Sequence, residues 1–128
     1  MNRVIHFDIY ADDPARAEKF YSDAFGWKFK KWEGGGGMDY WLIMTGSEKE
    51  PGIDGGMSRR EKEWSKAAST NAITIGVKNI DEAIAKVEEA GGLITMNKMV
   101  LPEVGWFASF KDPEGNTLSL IQMDMSAK

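Results

Sequence analysis

The residues best able to do chemistry lie close together near the start of the chain. His6, Asp8 and Tyr10 alternate with apolar residues, the pattern of a half-buried strand whose polar side chains share one face. A histidine followed two residues later by an aspartate can form an oriented pair, in which the carboxylate holds an imidazole that exchanges a proton near neutral pH. The spacing is common in strands, so the competing interpretation is an inherited His6 without a chemical role beside a solvated Asp8.

The composition excludes several kinds of chemistry and several kinds of partner. The 128-residue chain has one histidine and no cysteine, which excludes disulfides, thiolate catalysis and cysteine-ligated zinc. Its net charge of −4 argues against a nucleic-acid partner. No apolar run approaches the roughly 20 residues that cross a bilayer, and the first residues lack the apolar region that a signal peptide is expected to have. We therefore expect a soluble, cytoplasmic protein with no nucleic-acid or membrane partner.

Aromatic side chains are abundant and offer surfaces for stacking on a flat or apolar small molecule. Packing in the core or at a dimer seam is the competing explanation and the better one for most of them. The residues concerned are Trp27, Trp32, Tyr40, Trp41, Trp64, Trp106, Phe107 and Phe110.

The elements that position these residues occur twice. The segment that runs from His6 to Gly26 reappears 66 positions later as Ala72 to Gly92. Each half is predicted to contain a strand, an amphipathic helix and three further strands. The same offset aligns other apolar pairs, namely Trp41 with Phe107, Met44 with Phe110 and Met57 with Met123.

Helix signals support the repeat. Asp13 is a candidate N-cap followed by Pro14 at the first helical position, and Gly26 ends the apolar stripe. Asn79 takes the N-cap role in the second half, where Gly91 and Gly92 stop the helix. A crossover helix covers one face of its sheet, which leaves the other face free to curve around something else.

We predict a single domain, 1–128. It divides into a first module, 1–57, a polar linker, 58–70, and a second module, 71–128, whose tail from Asp124 onward is expected to be loose.

The order of elements, together with these residues, resembles the vicinal oxygen chelate superfamily of glyoxalases, bleomycin-resistance proteins and extradiol dioxygenases. It is most similar to the small glyoxalase-like branch. The resemblance is carried by His6–Tyr21 with its Asp12-Asp13-Pro14 and Phe20-Tyr21, by Phe25-Gly26-Trp27, by Val77–Gly92 and by Asp112–Asn116. It implies an α+β fold, in which two βαβββ modules form a cupped mixed sheet. It also implies a site inside the cup, often at a dimer seam, where the metal enzymes of the family bind a divalent cation.

The resemblance implies four metal-ligand positions, and only the first, His6, carries a metal ligand. The second falls at Trp41 or Leu42 and the third at Ala72, none of which has a donor side chain. The fourth falls at Ser119, whose neutral hydroxyl is a poor replacement for a carboxylate on a hard cation. Because zinc sites need at least three protein ligands, we predict no bound metal and no cofactor.

Our first hypothesis is a glyoxalase-like, metal-independent, small-molecule-binding homodimer, similar to bleomycin-resistance proteins, with its ligand in an aromatic-lined cup. One alternative is a lyase, isomerase or epimerase of the same superfamily that uses His6 as base or metal ligand, so enzymatic activity stays open. Another is a protein-interaction module with an unused cup. The ligand, and whether the cup forms within one chain or across a dimer, are also open. The candidate ligand-binding residues are His6, Asp8, Tyr10, Leu42, Trp106 and Ser119.

Overall fold

The computed structural model describes residues 2–34, 39–60 and 72–128. In these ranges the elements are β1 (Arg3–Ala11), α1 (Pro14–Phe25), β2 (Lys28–Lys31), β3 (Tyr40–Met44), β4 (Gly55–Arg59), β5 (Ala72–Gly76), α2 (Ile80–Glu89), β6 (Leu93–Leu101), β7 (Gly105–Lys111) and β8 (Thr117–Met123). They form two compact units, His6–Asn71, here the first module, and Met1–Ile5 with Ala72–Lys128, here the second module. The predicted α+β class, with two βαβββ modules, is confirmed.

Both helices begin where their capping residues predict. The Asp13 side chain accepts a hydrogen bond from the backbone N–H of Arg16 at 3.2 Å, and that of Asn79 accepts one from the N–H of Glu82 at 3.0 Å. Gly26 ends α1 at φ 75°, a left-handed conformation that glycine adopts without strain. Neither helix of the described part of the chain is long and apolar enough to span a bilayer.

The first module has the strand order β2-β3-β4-β1, in which β1 and β4 are parallel and the other pairs are antiparallel. One face packs against α1 around a core of Ile9, Ala11, Ile43 and Met57. Because side chains alternate along a strand, the residues between these point to the opposite side. This helix-free face carries His6, Asp8, Tyr10, Lys28, Lys30, Tyr40, Leu42, Met44, Gly56 and Ser58.

The second module has the strand order β5-β8-β7-β6, with β5 and β8 parallel. Helix α2 covers one face of this sheet. The core on that side consists of Val77, Ile80, Ala108, Phe110 and Leu120. The opposite face carries a row of three buried hydroxyl side chains, Thr74, Ser119 and Ser109, whose strands pair at these positions.

The repeat offset holds for the first strand and helix of each module but not for the later strands. Met57 lies in the helix-side core with no exposed surface, whereas Met123, its partner at that offset, is 58% exposed. Trp41 likewise packs on the helix side, while Phe107 alternates with the helix-side residues Ala108 and Trp106. A shift of one residue moves every side chain of a strand to the other face, so the modules match in topology but not residue by residue.

Two boundaries differ from the sequence prediction. Strand β4 includes Ser58 and Arg59, which the prediction assigned to the linker, and the remainder of that linker beyond Arg60, with Trp64, lies outside the described residues. The predicted loose tail is wrong. Ala127 is only 2% exposed and its carbonyl accepts a hydrogen bond from the N–H of Glu103 at 2.9 Å, because the tail folds back on the β6–β7 turn.

Candidate functional site

The candidate site on the helix-free face of the first module depends on the register of three strands. Asp8 on β1 lies opposite Gly56 on β4, which lies opposite Leu42 on β3. Tyr40 comes two residues before Leu42, and its ring lies diagonally over Gly56. A Cβ atom at position 56 would lie 1.6 Å from the Tyr40 hydroxyl oxygen, so no other amino acid leaves room for this ring. Glycine at position 56 therefore lets Tyr40 reach the polar residues of β1.

Tyr40 joins His6 and Asp8 in a hydrogen-bonded group, the His6–Tyr40–Asp8 cluster. The Tyr40 hydroxyl donates to Asp8 Oδ1 at 2.7 Å, and its oxygen lies 2.9 Å from His6 Nε2. Because the phenol has one proton and gives it to Asp8, His6 Nε2 must itself be protonated and donate to the phenol oxygen. In a neutral imidazole this leaves Nδ1 as the basic nitrogen.

The two tyrosines of this face stay protonated at neutral pH. Burial, and then the negative charge of Asp8, raise the pKa of Tyr40 far above its ordinary value. The same two causes, in the same order, raise the pKa of Tyr10 to about 12. Both side chains are therefore neutral phenols at neutral pH, and that of Tyr40 donates its proton to Asp8. The cluster remains accessible, since the His6 side chain is 31% exposed and that of Asp8 is 18% exposed.

Half-buried apolar side chains adjoin the cluster on the same face. The ring of Trp32 meets that of Tyr40 edge-to-face, with 5.7 Å between the ring centroids. Leu42 and Met44 continue this surface along β3. We call Trp32, Tyr40, Leu42 and Met44 the apolar strip. It can hold the body of a small molecule, while the cluster offers hydrogen-bond donors and acceptors to a polar group.

The sequence-predicted site residues fall into two groups. His6, Asp8, Tyr10 and Leu42 share the helix-free face of the first module. The other two, Ser119 and Trp106, belong to the second module and lie on opposite faces of its sheet.

Ser119 is buried, with its Oγ atom 3.2 Å from Ser109 Oγ. Trp106 packs against the helix-side core, its Nε1 donates to Asp124 at 3.3 Å, and the ammonium of Lys98 lies 4.7 Å from its ring. Their roles in ligand binding stay predictions.

Sequence reasoning named Tyr40 only as an aromatic residue that could stack on a ligand, and it placed neither Tyr40 nor Gly56 in the cluster. Tyr40 is 34 positions from His6 and 32 from Asp8, so no local spacing links them. Gly56 carries no pattern of its own. The available signal was the alternation of Tyr40 with Leu42 on one strand, which places both on the same face. Packing on the helix side accounts for three other aromatic candidates, Trp27, Trp41 and Phe110.

The donor set does not fit a divalent cation. Leu42 and Ala72 have no donor atom, and the Ser119 hydroxyl lies beside Ser109. In residues 2–34, 39–60 and 72–128, no three His, Cys, Asp or Glu side chains come together as a metal site. His6 Nε2 is already directed at Tyr40.

Comparison with known proteins agrees with this fold. Residues 3–120 match the sequence profile of the Glyoxalase/Bleomycin resistance protein/Dioxygenase superfamily. A glyoxylase-like domain-containing protein of Didymella fabae is 33% identical over 119 residues, covering 90% of this chain and 89% of the relative.

Solved structures with a similar fold include a hypothetical protein from Bacillus halodurans, with a TM-score of 0.72, 16% identity and coverage of 98% of this chain and 97% of that one. Methylmalonyl-CoA epimerase from Mycobacterium tuberculosis aligns with a TM-score of 0.69 and 12% identity over 94% of this chain and 87% of the epimerase. At these identities the likeness concerns the fold alone. Profile, relative and topology together show that the chain belongs to the Glyoxalase/Bleomycin resistance protein/Dioxygenase superfamily.

Proposed function

We propose that the helix-free face of the first module binds a small organic molecule without the help of a metal ion. The observation that carries this proposal is the His6–Tyr40–Asp8 cluster beside the apolar strip. Small-molecule sites typically combine apolar and aromatic walls with a few fixed polar groups, and this face offers both. We also propose, from the sequence, that the protein is a cytoplasmic homodimer. Light scattering would measure its oligomeric state.

The experiment is a fluorescence titration with N-phenyl-1-naphthylamine, a neutral aromatic probe, in the presence of EDTA. We expect saturable binding that EDTA leaves unchanged. Leu42→Lys, which puts a charge on the apolar strip, should weaken binding by about tenfold or more, as expected for a charge buried without a partner. The matched control is Leu93→Lys in the second module, where the side chain is 64% exposed and the change should have no effect.

His6→Ala is the second test, in case Leu42→Lys lowers the thermal stability. It removes the imidazole at the edge of the same face. Binding that neither variant weakens would contradict the proposed location. Binding that EDTA abolishes and added zinc or manganese restores would contradict independence from metal.

The orientation of His6 favours a second candidate function, proton transfer in a lyase, isomerase or epimerase. Tyr40 holds Nε2 as a donor, which leaves Nδ1 to take a proton from a carbon acid. The Asp8 carboxylate, 3.4 Å from Nε2, would then stabilise the imidazolium that forms. The fold also occurs in methylmalonyl-CoA epimerase, which suggests a first test compound.

That candidate is tested by incubating methylmalonyl-CoA and related acyl thioesters with the protein in D2O. Deuterium incorporation that His6→Ala abolishes and Tyr40→Phe reduces would support proton transfer by His6. No incorporation with any thioester, or incorporation that survives in His6→Ala, would exclude His6 as the base for such substrates and leave binding as the function.

A further inference from the structure

Two lysines on the outermost strand of the first module face the same side as the cluster. Lys28 and Lys30 on β2 lie opposite Met44 and Leu42 on β3, and both are exposed. Their neighbour Lys31 points to the other side, where its ammonium lies 2.7 Å from Asp39 and 4.2 Å from the centroid of the Trp41 ring. In the described part of the chain, neither Lys28 nor Lys30 lies within ion-pair distance of a carboxylate.

The register places these lysines across the apolar strip from the cluster. Asp8, Gly56, Leu42 and Lys30 are successive partners on β1, β4, β3 and β2. Three strand spacings separate Asp8 from Lys30, or about 14 Å between their Cα atoms. The face therefore has a carboxylate at one side, two cations at the other and apolar side chains between them.

This charge distribution selects both a class of ligand and its orientation. The chain as a whole carries a net charge of −4, so an anion approaches it favourably only where cations are concentrated. Asp8 repels an anionic group at the cluster, whereas Lys28 and Lys30 attract one at β2. An apolar body between the two ends would cover the strip.

We propose that the ligand is an organic anion. Its carboxylate, sulfonate or phosphate lies at Lys28 and Lys30, its apolar or aromatic body lies on the strip, and its uncharged polar end meets the cluster. This inference rests on the proposed function and adds the charge and direction of the ligand. The competing explanation is that lysines on an edge strand only prevent it from pairing with other chains.

The experiment compares two probes that share an aromatic skeleton. 8-Anilinonaphthalene-1-sulfonate is an anion, and N-phenyl-1-naphthylamine is its neutral counterpart. We expect the double variant Lys28→Gln/Lys30→Gln to weaken sulfonate binding by about threefold to tenfold, the combined effect of two exposed charges, and to leave binding of the neutral probe unchanged. Raising the salt concentration should weaken sulfonate binding to the unmodified protein in the same selective way.

Lys49→Gln is the matched control, because this exposed lysine lies in the loop between β3 and β4 and outside the strip. It should change neither affinity. Equal affinity for both probes, unaffected by the double variant, would overturn the anion proposal while the proposed function stands. If the double variant self-associated and bound the sulfonate unchanged, the anion proposal would be wrong, and the lysines would serve only to keep the edge strand from pairing with other chains. Failure of both probes to bind would instead contradict the proposed function itself.

Discussion

The helix-free faces of the two modules have the same topology but different chemistry. In the first module, β1 contributes His6 and Asp8, and Tyr40 joins them through hydrogen bonds of 2.9 and 2.7 Å. In the second module, the corresponding strand contributes Thr74, which lies in a row with Ser119 and Ser109. The first face presents ionisable groups that remain accessible. The second presents neutral hydroxyls that are almost fully buried.

The difference shows which face the two modules have in common and which face sets them apart. Each module uses its helix-side face for the core, so both keep apolar residues there. The helix-free face is not needed for that core, and its residues are free to differ. On that face of the second module, one buried polar group is unsatisfied, because the Thr74 hydroxyl has no hydrogen-bond partner in the described residues.

The largest expected effect comes from Gly56→Ala in the first module. The new Cβ would overlap the Tyr40 ring, so we expect a loss of about 1–3 kcal/mol in the free energy of unfolding and displacement of Tyr40 from the cluster. Urea unfolding and probe titration would measure the two effects. The control is Gly92→Ala in the second module, where a Cβ would meet Val87 at 2.6 Å. It should lower stability by a similar amount and leave probe binding intact. If both variants lost binding equally, the loss could not be assigned to the helix-free face of the first module.

Tyr40→Phe should destabilise the first module by a similar amount, and it changes the cluster without overpacking. It removes the hydroxyl that bridges His6 and Asp8, and we expect a loss of about 1–3 kcal/mol in the free energy of unfolding, typical of leaving charged or polar partners unsatisfied. Nitrogen-15 NMR of the histidine would show the Nε2-protonated tautomer in the unmodified protein and a changed tautomer balance in the variant. An unchanged balance would mean that Tyr40 does not orient His6.

Thr74→Val should have the opposite sign. The two side chains are similar in shape, and the hydroxyl that is removed is buried without a partner, so we expect a gain of up to about 1 kcal/mol in the free energy of unfolding. Thermal unfolding would measure it against Ser109→Ala, which breaks a hydrogen bond in the same row and should be destabilising. A destabilised Thr74→Val would show that the hydroxyl is satisfied in solution, for example by a bound water.

The last effect is absent at neutral pH and emerges only in alkali. Tyr10 has a pKa of about 12 in the folded protein, against 10.0 for an unperturbed tyrosine. Between these values the unfolded chain loses its phenolic proton while the folded one retains it, so stability should fall as pH rises from 10 to 12. Tyr10→Phe should make this slope shallower in urea unfolding measured across that range, while the contribution of Tyr40, whose pKa is also raised, remains. Tyr21→Phe is the control on α1, and an equal effect of both variants would assign the slope to tyrosines in general.

Much of the fold could be predicted from the sequence because its signals are local. The caps at Asp13 and Asn79 and the glycine at position 26 fix where helices begin and end through hydrogen bonds and φ angles within a few residues. The alternation around His6 and Asp8 correctly placed both on one face, since side-chain direction follows directly from strand geometry.

The tertiary structure decided what the repeat could not. The face that a strand residue occupies depends on the register of its strand, and a shift of one residue reverses that face. Register therefore decides the faces of Met57, Met123 and Trp106. The folded-back tail depends on hydrogen bonds with Glu103 and Val104, which lie twenty or more positions away. The sequence by itself determined the order of elements and the one histidine available for chemistry. The tertiary structure alone gave that histidine its partner, because only the packing of Tyr40 over Gly56 brings a hydroxyl from β3 within hydrogen-bonding distance of β1.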